Sequence, residues 1–271
     1  MVATAVWKRA LDRPAPAELV RADWARRNAE LEEALLDGLP RDYLRHPSVA
    51  FQMFVGEHHA RRELPYVIER LGGDRSLLDE PLQGDPPMMA LDDGRLTSSN
   101  TVHHAFHLLR YEQATGRAVA DHHVVVEWGA GYGNLARLLW TRHGGAPTLV
   151  LIDTPVFSAL QHLHLSALLG ADAVVLHEEP GAPVVVGRVN VVPLGLVTAL
   201  DVRADLFVST WALNESTQAA QALVLQRDWF GAPALLLAFH RGDPLEPAVL
   251  EAGAEPVALG PWMPGQHYFV R

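Results

Sequence analysis

The sequence predicts an α/β fold: a mostly parallel, doubly wound sheet with helices on both faces, preceded by a helical N-terminal region. Three observations carry this. Val124-Val-Val-Glu-Trp-Gly-Ala-Gly-Tyr-Gly-Asn134 joins an apolar β-branched run to three alternate glycines, and the helical pattern Leu135–Trp140 follows directly. Pro147-Thr-Leu-Val-Leu-Ile-Asp153 is a second apolar run, bounded by turn residues and ending on a carboxylate. From Val124 onward, strand-length apolar runs alternate with helical patterns, as repeated β-α-β units require.

Taken in order, residues 17–37 read as an amphipathic helix, with Leu19, Trp24, Leu31 and Leu35 among charged residues. A second helical pattern, 57–71, is stopped by Gly72-Gly73. Residues 79–98 lack periodicity and carry Pro81, Gly84, Pro86, Pro87 and Gly94, so they read as a long loop, either a lid or a connector. Thr97-Ser-Ser-Asn100 offers N-caps for a helix at 101–115, closed by Gly116. Strands are expected at 124–128, 148–153, 188–193, 205–210 and 233–240, with helices at 155–169 and 214–229. A terminal pair at 254–259 and 266–270, joined through Gly260-Pro-Trp-Met-Pro-Gly265, reads as a hairpin. That makes seven strands with an antiparallel last one, and leaves Val174–Leu176 open as an extra edge strand. The expected division is a helical cap over 1–98 and a ligand-binding domain over 99–271.

Composition narrows the partners. The chain has 271 residues, 49% hydrophobic and 20% charged, with net charge −10, so a basic stripe for nucleic acid is not expected. It has no cysteine, which excludes disulfides, thiolate metal sites and cysteine nucleophiles. No run approaches the ~18 apolar residues of a membrane span. The start, with Trp7, Lys8 and Arg9 ahead of no apolar core, is not a secretory signal, and a cytoplasmic protein is expected. Oligomeric state is left open, a homodimer being one option.

The glycine turn lets backbone approach a nucleotide-like ligand. A dinucleotide fingerprint G-x-G-x-x-G/A would place Gly or Ala at position 134, where this chain has Asn134. Acidic-x-Gly-x-Gly-x-Gly, beginning at Glu127, instead resembles motif I of class I S-adenosylmethionine-dependent methyltransferases. Asp153, 20 residues after Gly133, stands where a carboxylate reaches ribose hydroxyls; a helix-capping or solvated role is the alternative. Thr154-Pro155 gives the next helix its own cap and first residue.

In such sheets the ligand lies beyond the carboxyl ends of the strands. Ser209-Thr-Trp-Ala-Leu-Asn-Glu215 ends the fourth strand, and Asn214 and Glu215 could orient or deprotonate a hydroxyl while Trp211 walls the site; Asn214 as a helix cap is the alternative. His240 and Arg241 end the fifth strand. The 101–115 helix carries Val102, Phe106 and Leu109 on one face, with His103, His104 and His107 beside it. His103 and His107 have zinc-compatible i, i+4 spacing, but the metalloprotease motif needs Glu where His104 stands, and no third ligand is evident. No metal is expected. The His58-His59 doublet reads as a solvated helix face.

Thr97–His107, Arg110-Tyr-Glu112, Thr115-Gly116, Val126–Asn134, Ile152-Asp-Thr-Pro155, Gln161 and Ser209–Glu215 together resemble the bacterial sugar O-methyltransferase family, over roughly 97–241. Ala130 stands where that family has Gly, and Thr154 where related sequences carry Leu. The resemblance implies S-adenosylmethionine contacts at Glu127, Gly129, Gly131 and Asn134, and at Asp153 for the ribose. Ala130, Thr154 and Ser209 complete the expected cofactor set. Candidate bases are His104, His107, Glu215 and His240; candidate acceptor contacts are His103, Trp211, Asn214 and Arg241. The expected activity is in-line methyl transfer to a hydroxyl of a sugar or small natural product. An N- or C-methyltransferase, a dinucleotide-dependent oxidoreductase and a non-catalytic binding protein are the alternatives.

Overall fold

The computed structural model describes residues 3–36, 38–144 and 146–271. The N-terminal part forms α1 (Ala3–Leu11), α2 (Ala22–Leu36), α3 (Pro47–Met53), α4 (Glu57–Leu71) and a hairpin of β1 (Met88–Ala90) and β2 (Leu96–Ser98). α5 (Ser99–Thr115) starts where Ser98 Oγ accepts the Thr101 N–H at 3.0 Å and stops at the left-handed Gly116.

The sheet region continues with β3 (Val124–Trp128), α6 (Asn134–His143), β4 (Thr148–Asp153), α7 (Pro155–Leu169), β5 (Val174–Leu176), β6 (Val189–Pro193) and β7 (Leu206–Thr210). It ends with α8 (Gln218–Gln226), β8 (Ala234–His240), α9 (Glu246–Glu251), β9 (Glu255–Ala258) and β10 (Gln266–Val270). Eight strands lie in the order β5-β6-β4-β3-β7-β8-β10-β9. The pairs from β5 through β8 are parallel, and β10 is antiparallel to both β8 and β9.

Alternation along each strand feeds two cores. Val125, Leu149, Leu151 and Leu206 pack on one face with the N-terminal helices, and Val126, Val150, Ile152 and Phe207 on the other with α8 and α9. The chain leaves β3 toward β4 on one side and returns to β7 on the other. A topological switch point therefore opens at the carboxyl ends of β3 and β7.

Several expectations change. The predicted 17–37 helix is a short 3₁₀ turn, Ala17–Leu19, followed by α2, and position 37 lies outside the described residues. Leu19 accordingly packs on the opposite face of the sheet from Leu31 and Leu35. The 79–98 loop contains the β1–β2 hairpin and is tied behind the site, with Arg137 Nη1 on Asp79 O at 3.3 Å and Ser98 Oγ on Glu80 at 2.7 Å. None of its residues lines either of the two cavities at the switch point. The helix expected at 214–229 shrinks to α8, because Thr217 rather than Asn214 is its cap. Residues 228–230 leave the helix with positive φ. Val174–Leu176 is a paired edge strand, which makes the sheet eight-stranded.

Candidate functional site

Two adjoining cavities open at the switch point. The first, about 330 Å³, is walled by Trp128, Ile152, Phe157 and Leu194 and floored by Gly129, Gly131, Asp153 and Thr154. Its outer cover is N-terminal: Leu19–Arg21, Trp24 and Phe51. The second, about 300 Å³, is lined by Asn100, His103, His104 and His107 of α5, with Glu127, Tyr132, Met263 and Gln266 around them. Met53, Gly129, Gly131, Thr210 and Trp211 belong to both, so the two spaces meet there.

The glycine turn is shaped by the protein's own atoms as much as by a ligand. Gly129 and Gly131 have φ of +77° and +58°, and a Cβ would overlap Ala212 Cβ at the first and Met53 Sδ at the second. Asp153 holds the turn: its Oδ2 accepts the Gly131 N–H at 2.9 Å and Gln161 Nε2 at 3.1 Å, and its Oδ1 accepts the Thr154 N–H at 2.7 Å. Gln161 also donates to Gly131 O at 2.8 Å.

Glu127 stands nearby with Oε2 buried and unpartnered. Burial, reinforced by Asp153, pushes the Glu127 carboxyl up to about 8. Burial also raises Asp153, to about 7, against the pull of its backbone and Gln161 donors. The donors sit on Asp153, so it takes the negative charge first and Glu127 holds the proton. The native state thus binds protons that the unfolded chain has released, and stability falls as pH rises from about 4 to about 8. A cationic ligand at Glu127 reverses this by favouring the carboxylate.

Trp211 adopts φ +54°, an uncommon conformation for a bulky residue, and separates the cavities. Its indole N–H donates to Gln266 Oε1 at 2.9 Å, and Gln266 Nε2 donates to His240 Nε2 at 2.8 Å. His240 is exposed and acts on the cavity through Gln266.

The three histidines of α5 differ in their partners. His103 Nδ1 lies 2.8 and 2.9 Å from the two oxygens of Glu63, a fully buried carboxylate on α4. Its ring stacks on Trp211 at 5.5 Å. His104 Nδ1 accepts from the Asn134 amide at 3.2 Å, and the orientation of that amide is set by Arg137, which donates to Asn134 Oδ1 at 3.0 and 2.9 Å. With its Nδ1 lone pair engaged, neutral His104 presents an N–H donor at Nε2. Burial, with His103 and Arg137 beside it, pulls His104 down to about 3. His107 bonds the Tyr268 hydroxyl through Nδ1, and burial holds it well below its ordinary value.

Of the residues selected from sequence, Gly129, Gly131, Asp153, Thr154 and Glu215 line the first cavity. Glu127, Ala130, His103, His104 and His107 line the second, and Trp211 lines both. Five lie elsewhere. Asn134, the first residue of α6, turns toward Thr101 and His104. Ser209 Oγ donates to Trp128 O and accepts the Leu213 N–H, which fixes the turn after β7. Arg241 pairs with Glu246, Asn214 lines neither cavity, and His240 stands behind Gln266. Met53, Trp24, Phe51, Trp128 and Asn100 line the cavities, and Glu63 backs His103, without having been selected from sequence. Glu63 left a signal: it shares the buried face of α4 with Ala60 and Val67, a carboxylate on an apolar stripe.

Among the described residues, no group of three or more His, Asp or Glu could hold a metal ion, and no helix is long and apolar enough to cross a membrane.

The strand order, with an antiparallel strand inserted next to the final edge, is that of the Rossmann-like class I methyltransferase fold. No protein-family profile matches the sequence, and no curated protein matches it. Solved structures similar to it include the mitomycin 7-O-methyltransferase, with TM-score 0.43 and 12% identity over 64% of this chain and 56% of that chain. A second is the magnesium protoporphyrin IX methyltransferase of Synechocystis PCC 6803, with TM-score 0.42 and 14% identity over 61% of this chain and 79% of that one. A third is an O-methyltransferase family protein from Burkholderia thailandensis, with TM-score 0.41 and 12% identity over 78% and 70%. The chain thus spans little more than half the length of the first of these.

Proposed function

We propose that this chain is an S-adenosylmethionine-dependent methyltransferase that methylates a hydroxyl of a small sugar or natural product. The observation that carries the reading is the pair of buried carboxylates, Glu127 and Asp153, set across a glycine turn where two cavities meet. The residues suit the cofactor. Trp128, Ile152, Phe157 and Leu194 offer an apolar slot for a purine, Asp153 keeps lone-pair capacity for ribose hydroxyls, and unpartnered Glu127 Oε2 suits an ammonium group. When bound, S-adenosylmethionine supplies a methyl group already activated on sulfonium.

The chain's own work is alignment and proton removal. His103, with Nδ1 held by Glu63, is the base this reading selects: the carboxylate fixes the ring and stabilises the imidazolium that forms. This moves His103 from the acceptor contacts to the base. His104 becomes an N–H donor and His240 a support for Gln266 and Trp211. The N-terminal helices cap the site over the 99–271 domain and keep water from it.

Calorimetry with S-adenosylhomocysteine and with NAD tests the cofactor. Binding of the first and not the second is expected, and binding of NAD alone would sink the proposal. Titrating S-adenosylmethionine at pH 7 in buffers of different ionisation enthalpy should show release of about one proton, because Glu127 is largely protonated below its value of about 8. Affinity should accordingly rise with pH up to about 8. Proton-neutral binding would remove Glu127 from the cofactor's cationic end.

A further inference from the structure

Two side chains of the second cavity take no part in the base. Asn100 is 1% exposed; its Nδ2 donates to the Tyr132 hydroxyl at 3.1 Å, while its Oδ1 has no partner. His107 is also 1% exposed; its Nδ1 is bonded to Tyr268, while its Nε2 has no partner. Both line the same cavity as His103, from positions i, i+3 and i+7 of one helix. A buried polar side chain satisfied at one end and unmet at the other is costly, and an apolar residue would pack as well without that cost. The pair is therefore shaped for a polar group of the ligand.

Chemistry narrows that group. Asn100 Oδ1 only accepts. His107 Nε2 donates if the Tyr268 hydroxyl donates to Nδ1, and accepts if Nδ1–H donates to Tyr268. A hydroxyl answers the first arrangement in full, donating its one proton to Asn100 Oδ1 and accepting from His107 Nε2–H. A carboxylate or phosphate would face Asn100 Oδ1 with no proton to give, in a cavity whose lining holds Glu127 and neither lysine nor arginine. The His103 and His107 ring centroids are 4.1 Å apart, a spacing that hydroxyls on neighbouring ring carbons fit. The volume of about 300 Å³ and the walls of Trp211, Tyr132, Phe54 and Met263 suit one ring.

We infer that the acceptor is a neutral single-ring vicinal diol. One hydroxyl is methylated at His103, and its neighbour is held by Asn100 and His107. The inference rests on the methyltransferase reading and gives that reading its substrate class.

The test uses the full chain in two stages. S-adenosylhomocysteine is titrated first, and failure to bind overturns the methyltransferase reading before any acceptor probe is added. The loaded protein is then titrated with catechol against phenol and 3,4-dihydroxybenzoate, and with methyl glucopyranoside against its 2,4-dideoxy analogue, which has no adjacent hydroxyl pair, and glucose 6-phosphate. The expected result is that one neutral diol binds at least ~10-fold more tightly than both its counterpart without adjacent hydroxyls and its anionic counterpart, as two hydrogen bonds to buried groups allow. The arm that responds assigns a phenolic or a sugar ring. In Asn100→Leu and His107→Phe that preference should fall below ~3-fold while S-adenosylhomocysteine affinity, which also reports folding, stays as in the parent. Tighter binding of an anionic probe, a preference retained in both variants, or no binding of either diol overturns the inference alone.

Discussion

Replacing Asp153 by alanine is expected to weaken S-adenosylmethionine binding by at least ~100-fold, about 3 kcal/mol, and to destabilise the protein as well. The two losses have one origin. The carboxylate accepts from Gly131 N, Thr154 N and Gln161 Nε2, so its removal leaves two backbone donors without a partner around a buried turn, while Gln161 Nε2 keeps its bond to Gly131 O. Each such donor costs about 1–3 kcal/mol, and water entering the first cavity offsets part of that. A net loss of about 2–4 kcal/mol would lower the melting temperature by roughly 5–15 °C for a chain of this size.

Asp153→Asn separates the two roles. It keeps the volume and one acceptor but sets an amide N–H₂ against donors that the carboxylate had satisfied. It should fold closer to the parent while still losing most of the ribose interaction. Calorimetry with S-adenosylhomocysteine and thermal melts of both variants check this. Parent-like affinity in the alanine variant would mean that Asp153 shapes the turn and touches no cofactor.

The parts of the site that were legible in the sequence are those written locally. Gly129, Gly131 and Gly133 punctuate a β-branched run, and Asp153 ends the next one, so the turn and its carboxylate follow from neighbours in the chain. The mostly parallel sheet with its antiparallel last strand followed from alternation and the final hairpin. Only β5, three residues long, was too short to settle by pattern. What was not legible arrives from afar. Met53, Trp24 and Phe51 close the first cavity from helices whose docking on the sheet no local pattern encodes. Asn134 and Ser209 were the right residue types in the right motifs. Their side chains satisfy α5 and the turn after β7 instead, because a helix start and a strand end each offer two directions. Glu63 is the legible exception: charge on the buried stripe of an amphipathic helix demands a partner, and His103 is that partner.

That pairing makes the second large effect. His103→Ala should reduce the rate of methyl transfer by ~10²–10⁴-fold, the usual contribution of a positioned base, with S-adenosylhomocysteine affinity little changed. It should also cost about 3 kcal/mol of stability, because Glu63 is left fully buried without its imidazole. Glu63→Gln keeps the volume and an acceptor for the ring but removes the charge that balances the imidazolium. Its rate should fall ~10- to 100-fold with KM nearly constant. The double variant decides between a dyad and two independent contacts. If Glu63 acts through His103, combining the changes should be no slower than His103→Ala alone and more stable than it, because no unpaired buried charge remains. Additive rate losses would assign Glu63 a separate role. A His103→Ala enzyme at parent-like rate would point to nitrogen or carbon as the methyl acceptor, for which a strong base is dispensable.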